Sequence, residues 1–461
     1  MDGFCLGIDL GTSSVKALAR NSDGRTVKAK RLYDEQSLEG WRLAVKRIIG
    51  DIIKQLPNAE FKAVAFSSQV GTYIVGDTII GWQASAGKEE LKEIKSKIAA
   101  ERFVDEIGTY HPDIISYPLP RLLYIQRRYG DAEVLQPKDY FIREFTGKTL
   151  TDAYSLRGIV NLRTGKRADD LARELGINCK LPNFRQPWDL AGVVTESAEK
   201  QYGLKSGTPV YLGCNDFFAG LLGMGVLDNG TAFDMSGTSE HVGYISDALQ
   251  ENASVSGSYF SGYCNYGGTK SSGSSCGFAI ENFGIEGLEL SRSLKDNPPI
   301  FLPYLSGERA PIYDENARGV YFGLNASTTK ERLAYSTLEG VAFSLYDIAS
   351  AMSMPKPKKL ICGGGSAVNP LMNSIKAEIF DCPVIRVKEN DASALGACMI
   401  AKVGAGEEKS LASAALNNVE YAEEFLPTGE YRDTLLRRFE IYSEVYKNLK
   451  GTFEKFNRIG D

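Results

Sequence analysis

At 461 residues the chain favours two domains, each able to bury its own apolar interior. With 43% hydrophobic and 24% charged residues it has the composition of a globular protein, which excludes disordered and fibrous classes. A formal net charge of -5 supplies neither a basic footprint for nucleic acid nor a polybasic patch for a membrane surface.

Eight cysteines, at positions 5, 179, 214, 264, 276, 362, 382 and 398, are scattered and form no Cys-x-x-Cys pair. They read as reduced, mostly buried thiols rather than as a disulfide framework or a zinc site. His111 and His241 are the only histidines, which excludes multi-histidine metal centres and leaves few candidates for histidine-based nucleophilic catalysis. The chain opens with no basic, then long apolar, leader, and no run reaches the length of a membrane span. The expectation is a cytoplasmic protein with no nucleic-acid or membrane partner.

In chain order, FCLGIDLGTSSVKALARNSDG reads as apolar run, Gly-Thr-Ser-Ser turn, apolar run and second turn, which predicts a β-hairpin continuing into a meander. Residues 41–56 space their apolar side chains at three and four, predicting an amphipathic helix, and FKAVAFSSQ follows as a buried strand. IQRRYG, PKDYFIREFTGK and DDLARELGI supply helical pieces, and GTPVYLGCND ends a strand at a polar tip. After Asp228-Asn229-Gly230 the pattern restarts: TAFDMSGTSEHVGYIS is a second apolar–turn–apolar hairpin. A Gly/Ser-rich stretch (256–277), a helix near 329–352, the strand KKLICGGG, a helix over 369–380 and DASALGACMIAKVGAG follow. The two Gly-Thr-Ser turns stand 226 residues apart, about half the chain, the spacing of a duplicated α/β unit. Expected domains are therefore 1–229 and 230–461, with a last amphipathic helix near 431–457 lying back across the first domain.

Four turns bear on chemistry. In GIDLGTSSVK, residues Gly11, Thr12 and Ser13 offer backbone N–H groups and hydroxyls suited to phosphate oxygens, and Lys16 adds a positive charge. Asp9, at the end of the first strand, suits a magnesium ion held through water. One such turn alone more often just closes a hairpin; a second copy at Gly237, Thr238 and Ser239, with its own Asp234, suggests two turns gripping a triphosphate. In ICGGGSAVNP, residues Gly364 and Gly365 let backbone approach a ligand, and Asn369 either caps the next helix or touches that ligand; a plain strand-to-helix turn fits equally well. In YLGCNDFFAGLLGMG, Asp216 follows a buried strand, as a helix N-cap or as a carboxylate able to accept a proton from an alcohol attacking a phosphoryl group.

Taken together, GIDLGTSSVKAL, GCNDFFAGLLGMG, FDMSGTSE, FLPYLSGERAPIYDENARGVYFGL and LICGGGSAVNPLMNSI…SALGACMIA resemble, in order and across essentially the whole chain, the FGGY carbohydrate kinases, nearest the xylulokinase-like branch. That resemblance implies an α/β fold of two actin-like, ribonuclease-H-like ATPase domains with an active-site cleft between them. It implies ATP and magnesium as cofactors, a small carbohydrate as substrate, and a homodimer as one expected assembly. It makes Asp216 the catalytic base and gives Asp9 to magnesium. Gly11, Thr12, Ser13, Lys16, Gly237, Thr238 and Ser239 fall to the phosphates, and Gly364, Gly365 and Asn369 to adenosine. Glu308 and Arg309 are family hallmarks. Gln69, Val70, Gly71 and Trp82 fall to the sugar, yet Val70 and Gly71 stand where xylulokinases usually carry Met and His, and Ala84 and Ala86 where they carry Asp and Arg. Phe217 follows the base where Asn is common. These departures argue for a substrate other than D-xylulose. The reading is phosphorylation of a hydroxyl of a ketose, sugar acid or polyol; the alternative is an actin-like nucleotide switch that acts by binding or assembly.

Overall fold

The structure, a computed structural model, describes residues 3–236 and 240–460. It comprises two compact units, one of residues 1–227, 257–260 and 391–419, the other of 228–256, 261–390 and 420–461. The expected division at 229/230 is thus crossed by 391–419, a second-half segment that belongs to the first unit.

The first unit is built on a six-stranded sheet ordered Leu190–Val193, Pro209–Asn215, Glu60–Ser68, Gly3–Leu10, Ser14–Asn21, Thr26–Leu32. Gly3–Leu10 is wholly buried, hairpin-paired to Ser14–Asn21 and parallel to Glu60–Ser68, as an uninterrupted apolar run requires. Over one face lies the helix Leu38–Gln55, started by the Ser37 hydroxyl accepting the Gly40 N–H at 3.0 Å. Its Trp41, Val45, Ile48, Ile49 and Ile52 are 0–1% exposed, each burial stabilising by about 2 kcal/mol. The helix Ala392–Gly404 packs on the other face. There a Cβ on Gly7 would stand 2.0 Å from the Ala394 carbonyl oxygen, and one on Gly396 1.8 Å from that of Ala219. Only glycine permits backbone to approach so closely.

The second unit repeats the arrangement. Its seven-stranded sheet runs Val255–Tyr259, Gly262–Thr269, Glu240–Ser246, Thr231–Ser236, Lys359–Gly364, Val384–Val387, Tyr421–Phe425. Thr231–Ser236 is hairpin-paired to Glu240–Ser246 and parallel to Lys359–Gly364, as Gly3–Leu10 is to its own neighbours. Helices Lys330–Ala351, Pro370–Phe380 and Arg432–Asn457 cover this sheet. The last of these corrects the expectation that the terminal helix lies across the first domain. Leu435, Tyr442, Val445, Tyr446 and Phe453 are buried in the second unit's core, and Arg438 pairs bidentately with buried Glu339 at 2.8 and 2.7 Å. An amphipathic helix goes where its apolar stripe and its one inward charge are both matched.

Candidate functional site

In the first unit, Asp9 is 4% exposed near the end of its strand, with Lys16 opposite it across the hairpin and Ser67 beside it on the parallel strand. The Ser67 hydroxyl donates to Asp9 Oδ1 at 2.7 Å. Burial pushes the Asp9 pKa up, and the Ser67 hydrogen bond and the Lys16 charge act against it. The turn that follows is closed by the Gly11 N–H donating to the Ser14 carbonyl at 3.0 Å, which leaves Thr12 and Ser13 exposed. Two residues expected at the sugar meet this turn. The Trp82 indole N–H donates to Thr12 Oγ1 at 3.0 Å, and the Gln69 amide to the Gly11 carbonyl at 3.4 Å.

The buried strand Pro209–Asn215 delivers Asp216 to the first turn of the helix Asp216–Gly223. The N-cap is Asn215, whose side chain accepts the Phe218 N–H at 2.9 Å, so capping does not account for Asp216. Its half-buried carboxylate instead accepts the Val70 N–H at 3.2 Å. Burial first, and then the charge of Asp9, push the Asp216 pKa up to about 7; the Phe217 and Val70 N–H groups and the Arg157 guanidinium pull the other way. Such a group can take up a proton near neutral pH. The crossing segment supports both ends of this arrangement: Asp391 pairs with Lys16 at 3.1 Å, and the Ser393 hydroxyl donates to the Asp216 carbonyl at 3.0 Å. Lys16 therefore holds a carboxylate, where the sequence places it on phosphate.

Around Asp216, Gly71 has φ +78°, and a Cβ there would stand 2.7 Å from that of Ser116, so this turn accepts glycine alone. The Trp82 loop is held by Arg121, itself fully buried, which donates through Nη2 to the carbonyls of Gly81, Trp82 and Ala84 at 3.1, 3.2 and 2.8 Å. Ala84, Ala86 and Tyr124 line an open hollow of about 450 Å³ beyond it.

In the second unit Gly237, Thr238 and Ser239 lie outside the described residues. Asp234, on the strand before them, is completely buried against Lys376 of the helix Pro370–Phe380, which also reaches Glu240 at 3.3 Å. Burial opposes the Lys376 charge, but the two carboxylates override it and hold its pKa above the ordinary lysine value. Gly364 has φ +94°, and a Cβ on it would meet the Ser236 carbonyl oxygen at 1.9 Å; Gly365 is exposed, with open space where a Cβ would stand. Asn369 caps the helix, its side-chain oxygen accepting the Met372 N–H at 3.0 Å, which leaves its amide nitrogen for any ligand. Glu308, 2% exposed, accepts from the hydroxyls of Thr269 and Ser271 and the N–H groups of Lys270 and Arg309, all within 2.7 Å, and so ties two loops together.

Sequence reasoning missed Ser67, Arg121, Asp391 and Lys376. Arg121 and Lys376 each carried a signal, a lone cation at helical spacing among apolar residues, which requires a buried partner. Ser67 and Asp391 carried none, because their importance comes from neighbours distant in sequence.

Comparison with known proteins bears on this geometry. The model of the FGGY carbohydrate kinase N-terminal domain matches residues 4–223, and that of the C-terminal domain residues 235–405. A xylulose kinase of Lactococcus lactis subsp. lactis is 27% identical over 96% of this chain and 97% of its own length. A gluconokinase of Bacillus licheniformis is 26% identical over 88% of each chain. Among solved structures, a gluconate kinase from Lactobacillus acidophilus superposes with a TM-score of 0.85 at 24% identity, covering 99% of this chain and 100% of its own, which establishes the fold. Among the described residues, no helix is long and apolar enough to cross a membrane.

Proposed function

The chain belongs to the FGGY family of carbohydrate kinases, enzymes that phosphorylate a carbohydrate with ATP, and from that premise we propose that Asp216 is the general base of the transfer. The observation that carries this reading is a half-buried carboxylate, poised near pH 7 beside Asp9 and oriented by the Val70 N–H. A substrate hydroxyl oxygen forms a bond to the γ-phosphorus of ATP as the bond from that phosphorus to the β,γ-bridging oxygen breaks; ADP leaves, and the hydroxyl proton passes to Asp216. Most of the acceleration comes from positioning and charge neutralisation, so the base chiefly orients the hydroxyl.

Thr12 and Ser13, exposed on the turn after Asp9, are the donors assigned to phosphate in the first unit, with Trp82 fixing the Thr12 hydroxyl. In the second unit Gly364, Gly365 and the Asn369 amide are assigned to adenosine. The residues present fit magnesium. Ser67 occupies Asp9 Oδ1, while Oδ2 lies 4.0 Å from where a Cβ added to Gly11 would stand. No cluster of three or more metal-ligating side chains occurs among the described residues, which suits an ion held by one carboxylate, water and phosphate. When bound, magnesium neutralises charge on the phosphates.

The substrate class is a ketose, sugar acid or polyol; relatives named for xylulose and for gluconate are similarly distant. The family match favours transfer to a carbohydrate over a nucleotide switch. An ADP-release assay over ketoses, sugar acids and polyols tests the reading, with Asp216→Asn as control. Sugar-stimulated turnover that the substitution abolishes supports it, and full turnover by the variant refutes the base.

A further inference from the structure

Arg121 lies on the helix Pro118–Tyr129 of the first unit, in a run of buried residues that includes Leu119, Leu122 and Ile125, and is itself 0% exposed. A side chain so enclosed cannot touch a substrate. Every hydrogen bond that its guanidinium makes to a described residue runs from Nη2 to one loop, to the carbonyls of Gly81, Trp82 and Ala84. Among the described residues no carboxylate pairs with it. Burial draws its pKa down, and the groups acting the other way are the phenols of Tyr73 and Tyr124. A buried cation without a counter-ion is worse for a fold than an apolar side chain of similar volume, so packing does not account for this one.

The loop does account for it. Gly81 to Ala84 form a turn closed by the Ala84 N–H donating to the Gly81 carbonyl at 3.0 Å, and Arg121 grips the carbonyls at both ends and the one between. Trp82 is inside that turn. Its backbone N–H donates to the hydroxyl of buried Thr72 at 3.1 Å, and its indole N–H to Thr12 Oγ1 at 3.0 Å. At the far end Gly87 has φ +95°, and a Cβ on it would stand 2.9 Å from the Ile115 carbonyl oxygen, which seats the loop against the segment leading into the Arg121 helix. Gln83, Ala84 and Ser85 are exposed, so water can reach this stretch once the guanidinium is gone. Losing Arg121 therefore loosens the loop rather than the core.

We propose that Arg121 is a positioning residue for the transfer: it fixes the turn that carries Trp82 and, through Trp82, sets where the carbohydrate lies relative to the Thr12 hydroxyl. This rests on the assignment of Trp82 to the carbohydrate and of Thr12 to phosphate.

The test takes two readings on the full chain. Hydrogen exchange needs no substrate. In Arg121→Met it should quicken by about 10-fold over residues 81–87 and stay unchanged over Gly3–Leu10; unchanged exchange in the loop overturns the proposal. ADP release is then followed with ATP, magnesium and D-xylulose, D-gluconate or glycerol, whichever the wild type turns over best. Arg121→Met should lower kcat/KM for that probe by about 30-fold, chiefly through its KM, while Tm holds or rises. Arg121→Lys, whose ammonium offers three donors to the three carbonyls, should recover most of the loss. On a Trp82→Ala background, where the turn carries no indole, Arg121→Met should cost less than about 3-fold. Equal losses on the two backgrounds would show that Arg121 does not act through Trp82, and would overturn the proposal. A wild-type kcat/KM in Trp82→Ala alone removes Trp82 from the carbohydrate, and the proposal with it. An impaired Trp82→Ala beside an unimpaired Arg121→Met keeps Trp82 at the carbohydrate and rejects only Arg121. If Arg121→Met does not fold, Arg121→Gln takes its place in the same cycle, and a wild type inactive on all three probes leaves the decision to hydrogen exchange.

Discussion

Asp216→Asn should abolish transfer and at the same time stabilise the first unit, in a way that depends on pH. The wild-type carboxyl is pushed from 3.8 to about 7, chiefly by burial and then by Asp9. A shift of roughly three pH units corresponds to a ceiling of about 4 kcal/mol, and solvent screening at a half-buried group reduces this to about 2 kcal/mol. Because the folded-state value lies above the unfolded one, the folded chain keeps the proton between about pH 4 and 7, where the unfolded chain has released it. Wild-type stability falls as pH rises through that window, and the neutral amide is spared the loss. The gap between variant and wild type should therefore open from pH 4.5 upward and level off above pH 7. Trp41, Trp82 and Trp188 are the only tryptophans and all belong to the first unit, so urea unfolding followed by tryptophan fluorescence reads that unit directly. Activity should drop by at least about 100-fold. A stability gap that does not change with pH, or a wild type more stable than the variant at pH 8, would refute the electrostatic account of the base.

Gly364→Ala should destabilise the second unit by at least about 2 kcal/mol, because it forces a left-handed residue against the Ser236 carbonyl. Gly365→Ala, facing open space in a helical conformation, should leave the melting temperature unchanged and raise KM for ATP; an unaltered KM would remove Gly365 from the adenosine site. Trp82→Phe and Thr12→Val each break the same hydrogen bond, so the double variant should cost about 1 kcal/mol less in transition-state binding than the sum of the singles, and strict additivity would show the bond to be idle. Lys376→Met strands two buried carboxylates and should cost the second unit about 3–5 kcal/mol, seen as a lower urea midpoint by circular dichroism; a near-neutral change would mean the carboxylates are protonated in the fold.

The fold was legible because its signals are local. The run FCLGIDL, the Gly-Thr-Ser turn and the three-and-four spacing of Trp41, Val45, Ile48 and Ile52 each determine an element without help from distant sequence. The terminal helix was equally clear as a helix, but its docking was not. The Glu339 that receives Arg438 lies 99 residues away, and no local pattern connects them. At the site, Asp216 was legible as a charge at the tip of an apolar strand. The Val70 N–H that orients it comes from 146 residues upstream, and the Ser393 that supports its backbone from 177 downstream.

The repeated motif shows most clearly what a sequence pattern leaves open. Asp9 and Asp234 open the same kind of hairpin, each on a central strand flanked by an antiparallel and a parallel neighbour. Their chemistry nevertheless diverges. Asp9 has a serine on one oxygen, and its nearby lysine is engaged by Asp391; its other oxygen is the one proposed for a hydrated ion. Asp234 is sealed at zero exposure against Lys376, from 142 residues further along, while burial and the like charge of Glu240 push its pKa well above the ordinary carboxylate value. A duplicated strand and turn reproduce the scaffold, but whether its carboxylate serves a ligand or the core is decided by which side chain a distant helix brings to it. The Asp9 copy is therefore the one assigned to magnesium, and replacing Lys376 should disturb the fold of the second unit before it disturbs phosphate binding.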